Sequence, residues 1–92
     1  VTRKLEWKAA AQVDLLEIVD HIGAENPDAA SAFAQMVYAK AEALCLSPTL
    51  YRSGRVRGTR EMVVHRNYVV FYRVTADTVT ILRVKHARQQ WP

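Results

Sequence analysis

The sequence is poor in cysteine, glycine and proline, and its C-terminal half is poor in acids. A lone Cys45 cannot close a disulfide within the chain, which fits a reducing cytoplasm. Its simplest role is a small buried residue on a helix face. With three histidines beside it, it supplies too few ligands to argue for a metal site, and no cofactor is expected. Three glycines and three prolines leave no linker and no low-complexity segment. No apolar run approaches the roughly 20 residues of a membrane helix, so no membrane partner is expected, and nothing at the start reads as a signal peptide.

What is present is a single domain of 92 residues, half of them hydrophobic. Its charge is divided. Residues 52–92 hold nine arginines and lysines against Glu61 and Asp77, whereas residues 1–51 hold four against seven acids. Such asymmetry points to a polyanionic or acidic partner for the basic half.

Periodicity then places the elements. Lys4–Trp7 alternates as a short strand. Ala11, Leu15, Ile18 and Ile22 step by four, three and four, which makes one apolar stripe of a helix. Asp14, Glu17 and His21 fall on another face and are expected to be solvated. Gly23 near the helix end suits a left-handed cap. Asn26-Pro27-Asp28 reads as an N-cap, a proline at the first helical position and an acid at the helix's positive end. The second helix carries Phe33, Val37, Ala41 and Leu44 inward and stops before Pro48. Its short connection to the first makes an antiparallel hairpin, and the many alanines let the two helices approach closely.

After a basic loop, Thr49 to Gly58, three strands follow at about Thr59–Val64, Tyr68–Thr75 and Thr78–His86. The expected fold class is α+β: a short N-terminal strand and a helical hairpin packed on a three-stranded antiparallel sheet. In the middle strand Val69 and Phe71 point one way, and Tyr68, Val70, Tyr72 and Val74 the other. Two helices cover only one face. The second is therefore wrapped by the domain's own loop and tail, or it waits for a partner. Trp91 either closes the core beneath the helices, the favoured reading, or anchors a partner. Trp7 is read as core.

Ala11-x-x-Asp14-Leu15-x-x-Ile18, Ile22 and Glu25-Asn26-Pro27-x-Ala29-Ala30 resemble the helical hairpin of ParE-type toxins. Gly58 to Val64 and Tyr68 to Val74 resemble that family's first two sheet strands, and Ile81 to Pro92 its characteristic end. The resemblance spans nearly the whole chain. It implies the toxin half of a type II toxin–antitoxin pair in the RelE/ParE superfamily, with a cognate ParD-like antitoxin as partner. Within that superfamily RelE-like members cleave messenger RNA on the ribosome, whereas ParE-like members poison DNA gyrase. Fold alone does not choose between them.

Metal-free RNA cleavage needs cations for the phosphate and groups that exchange protons. Aligned through the Tyr68–Val74 strand, the positions of the RelE-type set fall at Arg60, Met62, Val69, His86 and near Pro92. Only Arg60 and His86 could serve, although a His65/His86 pair assisted by Arg60 is a second arrangement. The deficit favours a gyrase poison that binds without catalysis, with a RelE-like ribonuclease as the alternative. The partner-binding residues are then Arg55, Arg57, Arg60, Arg83, Lys85, His86, Arg88 and Trp91. Arg52, Arg55, Arg57 and Arg60 suit a solvated face, an acidic antitoxin segment, or phosphates in indirect contact with gyrase-bound DNA.

Overall fold

The stripe of Ala11, Leu15, Ile18 and Ile22 does face inward in the computed structural model, which describes residues 2–89 and 91. Ala11 and Leu15 are buried in the core of helix α1 (Ala9–Gly23), and Ile18 and Ile22 pack against that core. Helix α2 (Pro27–Ala43) begins as its sequence dictates. The Asn26 side chain accepts the Ala29 amide at 3.0 Å, Pro27 occupies the first turn, and Asp28 sits beside the positive end. Phe33, Val37, Ala41 and Leu44 supply its inner face, and Cys45 is buried just beyond it.

Gly23 works differently from expectation. The residue after it, Ala24, is right-handed, and the one described residue with positive φ is Gly58, at 81°. A Cβ on Gly23 would lie 3.4 Å from that of Ala30, an ordinary contact, so the helices pass closely there without requiring a glycine.

Five strands form one mixed sheet: β1 (Lys4–Trp7), β2 (Arg52–Ser53), β3 (Thr59–His65), β4 (Tyr68–Val74) and β5 (Thr78–His86), in the order β1-β5-β4-β3-β2. The antiparallel run β3-β4-β5 is the expected meander. Two additions correct the three-stranded expectation. β1 joins the sheet as a parallel partner of β5, with Leu5 opposite Val79 and Trp7 opposite Ile81. β2 adds two residues antiparallel to Arg60 and Glu61.

The helices cover one face of the sheet. Met62, Val64, Val70, Tyr72, Val79, Ile81 and Val84 meet Leu15, Phe33 and Val37 there. On the opposite face Val69 and Phe71 are only 8% and 7% exposed. The chain folds its own tail over them. The Ala87 amide donates to the Asn67 carbonyl at 2.7 Å, and Trp91 stacks on Phe71 with ring centroids 4.7 Å apart. Trp91 thus packs, as favoured, but on the face away from the helices. The alternation of β4 leaves an apolar strip on that face, which the helices cannot reach. Trp7 packs against the core's rim, with Tyr38 at 5.3 Å.

Candidate functional site

Where β1 ends at Trp7, β5 continues to His86 paired with β4 on one side only, and the amides on its outer edge lose their strand partner. Helix α1 substitutes for that strand with a side chain. Asp14 Oδ2 accepts the Val84 amide at 3.0 Å, and the carboxylate also takes two hydrogen bonds from Arg83, at 2.7 and 2.9 Å. Lys85 Nζ stands 4.0 Å from the other oxygen. Asp14 is therefore 8% exposed and not solvated as its helix position suggested. Burial alone would raise its pKa. The Arg83 and Val84 hydrogen bonds, with the charges of Arg83 and Lys85, outweigh burial and hold it below the usual carboxylate value. The same hydrogen bond raises the Arg83 pKa. Further along the edge, the His86 amide donates to Gln89 Oε1 at 2.8 Å.

Beside this edge three strands align His65, Tyr68 and His86 in one cross-strand row. The Tyr68 ring lies 6.1 Å from His65 and 5.2 Å from His86, centroid to centroid, and Phe33 packs on it at 5.1 Å. The two imidazoles share one end of the sheet with a phenol between them.

Arg60 lies at the other end. It stands five residues before His65 on β3, roughly 16 Å away at strand rise. Its Nη1 donates to the Tyr51 carbonyl at 2.6 Å, while the Tyr72 hydroxyl donates to the Pro48 carbonyl at 2.7 Å. Together these bonds pin the segment between α2 and β2, and burial raises the Tyr72 pKa. Met62 is fully buried under the helices, and Val69 faces the opposite way. Arg60, Met62 and Val69 therefore do not share one face of the sheet. The residues paired with Val69 and Phe71 are Val63 and Glu61. Pro92 lies outside the described residues.

Glu61 organises the basic loop. Its carboxylate accepts Arg52 Nη2 at 2.9 Å and the Arg55 amide at 3.3 Å. Arg57, beside the left-handed Gly58, is exposed. Among the described residues, ion pairs join only Arg52 to Glu61 and Asp14 to Arg83 and Lys85, and no buried side-chain nitrogen or oxygen lacks a hydrogen-bond partner.

The eight expected partner-binding residues thus fall in three places. Arg83, Lys85, His86 and Arg88 line one open hollow of about 630 Å³ between α1 and β5. Arg55 and Trp91 border a small cavity of about 160 Å³ on the far face, which His86 also reaches. Arg57 and Arg60 border a third hollow at the opposite end of the sheet. Sequence reasoning missed two organising acids. Asp14 directly precedes the buried Leu15, and Glu61 is one of only two acids in the basic half, so each had a signal in its neighbours. No group of three metal-ligating side chains occurs among the described residues, and none of their helices is long and apolar enough to cross a membrane.

Comparison with known proteins agrees with this architecture. Residues 5–91 match the family described as the ParE toxin of the type II toxin–antitoxin system parDE. Y4kP of Sinorhizobium fredii is 37% identical over 91 residues, which cover 98% of this chain and 94% of that protein. Toxin RelE2 of Caulobacter vibrioides is 36% identical over 81 residues, covering 88% and 91%. The solved structure of the chromosomal ParDE system from P. aeruginosa superposes with a TM-score of 0.82 at 25% identity, covering 92% of this chain and 96% of that one.

Proposed function

Because the chain belongs to the ParE toxin family of type II toxin–antitoxin systems, we propose that it arrests growth in the cytoplasm by binding DNA gyrase. In this reading it stabilises the cleaved gyrase–DNA complex, catalyses nothing itself, and is neutralised by a cognate ParD-like antitoxin. The observation that carries the reading is the separation of Arg60 from His86. A nuclease would need a cation and a proton-exchanging group at one phosphate. Here the two groups that remain from the RelE-type set lie on different strands, offset along β4 by the four residues from Tyr72 to Tyr68, roughly 13 Å at strand rise, and Arg60 is already engaged by backbone carbonyls. What the fold does gather is cationic and apolar surface, which suits binding.

Purified toxin added to gyrase and supercoiled plasmid tests this directly. Supercoiling should stop, and linear DNA should accumulate once the complex is denatured. Uninhibited supercoiling with no cleaved DNA at toxin excess would sink the proposal for that gyrase.

One observation keeps a RelE-like ribonuclease as the second reading. The His65–Tyr68–His86 row puts two imidazoles at one end of the sheet, close to Arg83, Lys85 and Arg88. Primer extension on translated messages distinguishes the two. Codon-positioned cuts that vanish in His86→Ala would establish the nuclease.

A further inference from the structure

The sheet ends in two outer strands, and their free edges are built differently. β2 offers only Arg52 and Ser53, with Arg52 tied back to Glu61. β1 offers a regular strand edge. Its Lys4 and Lys8 amides donate inward, to the Asp77 and Ile81 carbonyls at 2.8 and 2.9 Å. Backbone groups alternate sides along a strand, so the amides and carbonyls of Leu5 and Trp7 point outward. None of the described residues takes up these two amides. The outward bond at this edge is made earlier, from the Arg3 amide to the Cys45 carbonyl at 3.3 Å.

Side chains alternate as well. Leu5 and Trp7 pack toward the core, whereas Lys4 and Glu6 are exposed on the other face. Lysines on an edge commonly keep other strands away. Here a lysine and a glutamate stand symmetrically about Leu5, so the strand is its own electrostatic complement. In an antiparallel copy, Lys4 lies opposite Glu6 of that copy, and Glu6 opposite its Lys4. Apolar surface flanks both ends of the edge. Tyr38, 50% exposed, stands 5.3 Å from Trp7, centroid to centroid, and Leu46, 74% exposed, directly follows Cys45 at the Arg3 end. Antiparallel pairing carries each Leu46 to the Trp7–Tyr38 end of the other copy.

We infer that the outer edge of β1 is an interface for a second copy of this chain, paired antiparallel about a twofold axis between the two Leu5 residues. The two Leu5 residues exchange both backbone hydrogen bonds, joining the two sheets into one. Lys4 and Glu6 make two cross-strand ion pairs on the face away from the helices. Leu46 of each copy covers Tyr38 of the other. Pairing stops at Lys4 and Glu6, because the Cys45 carbonyl already holds the Arg3 amide. So short a strand contact belongs with the weak associations that bury less than about 1,200 Å². The dimer therefore forms and dissociates with concentration. It depends on neither the gyrase reading nor the nuclease reading.

Sedimentation equilibrium of the purified full chain measures the dimer Kd. Lys4→Glu and Glu6→Lys each set like charges opposite one another twice, and each should raise Kd at least about tenfold. The two shift net charge in opposite directions, so a general charge effect would weaken one dimer and strengthen the other. Exchanging both residues, Lys4→Glu with Glu6→Lys, restores the pairs and should return Kd to within about threefold of wild type. Leu46→Glu, at an exposed site, should also weaken the dimer with its fold intact, which circular dichroism checks. The Leu5 amide should exchange its hydrogen more slowly as concentration rises. A chain that stays monomeric up to about 1 mM overturns the inference. So does a dimer indifferent to the single substitutions, or one that the exchange does not recover. An unchanged Kd in Leu46→Glu would rule out the antiparallel twofold. Protection of the Leu5 amide by the antitoxin alone, and never by a second copy, would assign the edge to a foreign strand and sink the dimer.

Discussion

The Arg83 guanidinium grips the Asp14 carboxylate through two hydrogen bonds, joining the first helix to the last strand across 69 residues of sequence. The pair completes the β5 edge where β1 runs out, because the same carboxylate also takes the Val84 amide. Asp14→Ala therefore removes an ion pair and orphans a buried donor together. The expected cost is about 3 kcal/mol, the lower end for breaking a buried pair, since the Arg83 side chain is 30% exposed and can be rehydrated. Asp14→Asn should cost less, because its amide oxygen still accepts from Val84. Urea denaturation of the two variants measures the difference.

The same carboxylate sets part of the acid limit. Its folded pKa lies below the ordinary 3.8, so in acid the unfolded chain binds the proton more readily. Its contribution to stability is complete above the ordinary carboxylate range and disappears as pH falls through the folded value. Between about pH 5 and pH 2 the wild type should lose stability more steeply than Asp14→Asn. Parallel acid limbs in the two proteins would show that Asp14 does not govern this region.

Leu15 and Phe33 anchor the helix layer from opposite sides of the hairpin. Alanine at either should cost on the order of 2–5 kcal/mol by leaving a cavity, enough to unfold much of so small a domain. Native circular dichroism and an unchanged melting temperature in both would place the core elsewhere.

Trp91 stacks on Phe71, on the face the helices leave bare. Trp91→Ala should cost about 2 kcal/mol, less than a fully buried tryptophan, because the ring is partly exposed. Uncovering Phe71 and Val69 should also raise binding of an apolar dye and lower solubility. Unchanged dye fluorescence would mean the strip has another cover.

Tyr72→Phe removes the hydroxyl that holds the Pro48 carbonyl. A loss of about 1–2 kcal/mol is expected, with faster proteolysis between α2 and β2 as the local readout.

The helices were legible because their information is local. Ala11 to Ile22 and Phe33 to Leu44 repeat at helical spacing, and Asn26-Pro27 caps the second helix through neighbouring backbone. The parallel β1–β5 pair was not legible. Its partners lie 74 residues apart at every matched position, Lys4 to Thr78 and Trp7 to Ile81, and nothing in four residues says which edge they join. Asp14 illustrates a different limit. A carboxylate next to an apolar stripe reads as solvated until a distant arginine and an unpaired strand amide are known to meet it. Arg60 and Met62 show the cost of aligning by strand and ignoring pleat. In alternating geometry a shift of one residue transfers a side chain to the opposite face, and here Glu61 and Val63 are the residues that share a face with Val69.

The parallel β1–β5 pair also imposes an order in time. The first strand to leave the ribosome has as its only neighbour in the sheet the last one made, and α1 cannot settle its Asp14 until Arg83 and Val84 exist. Non-local pairing of this kind delays folding until its partner has been synthesised. The hollow along α1, whose far wall is β5, is thus among the last surfaces to form.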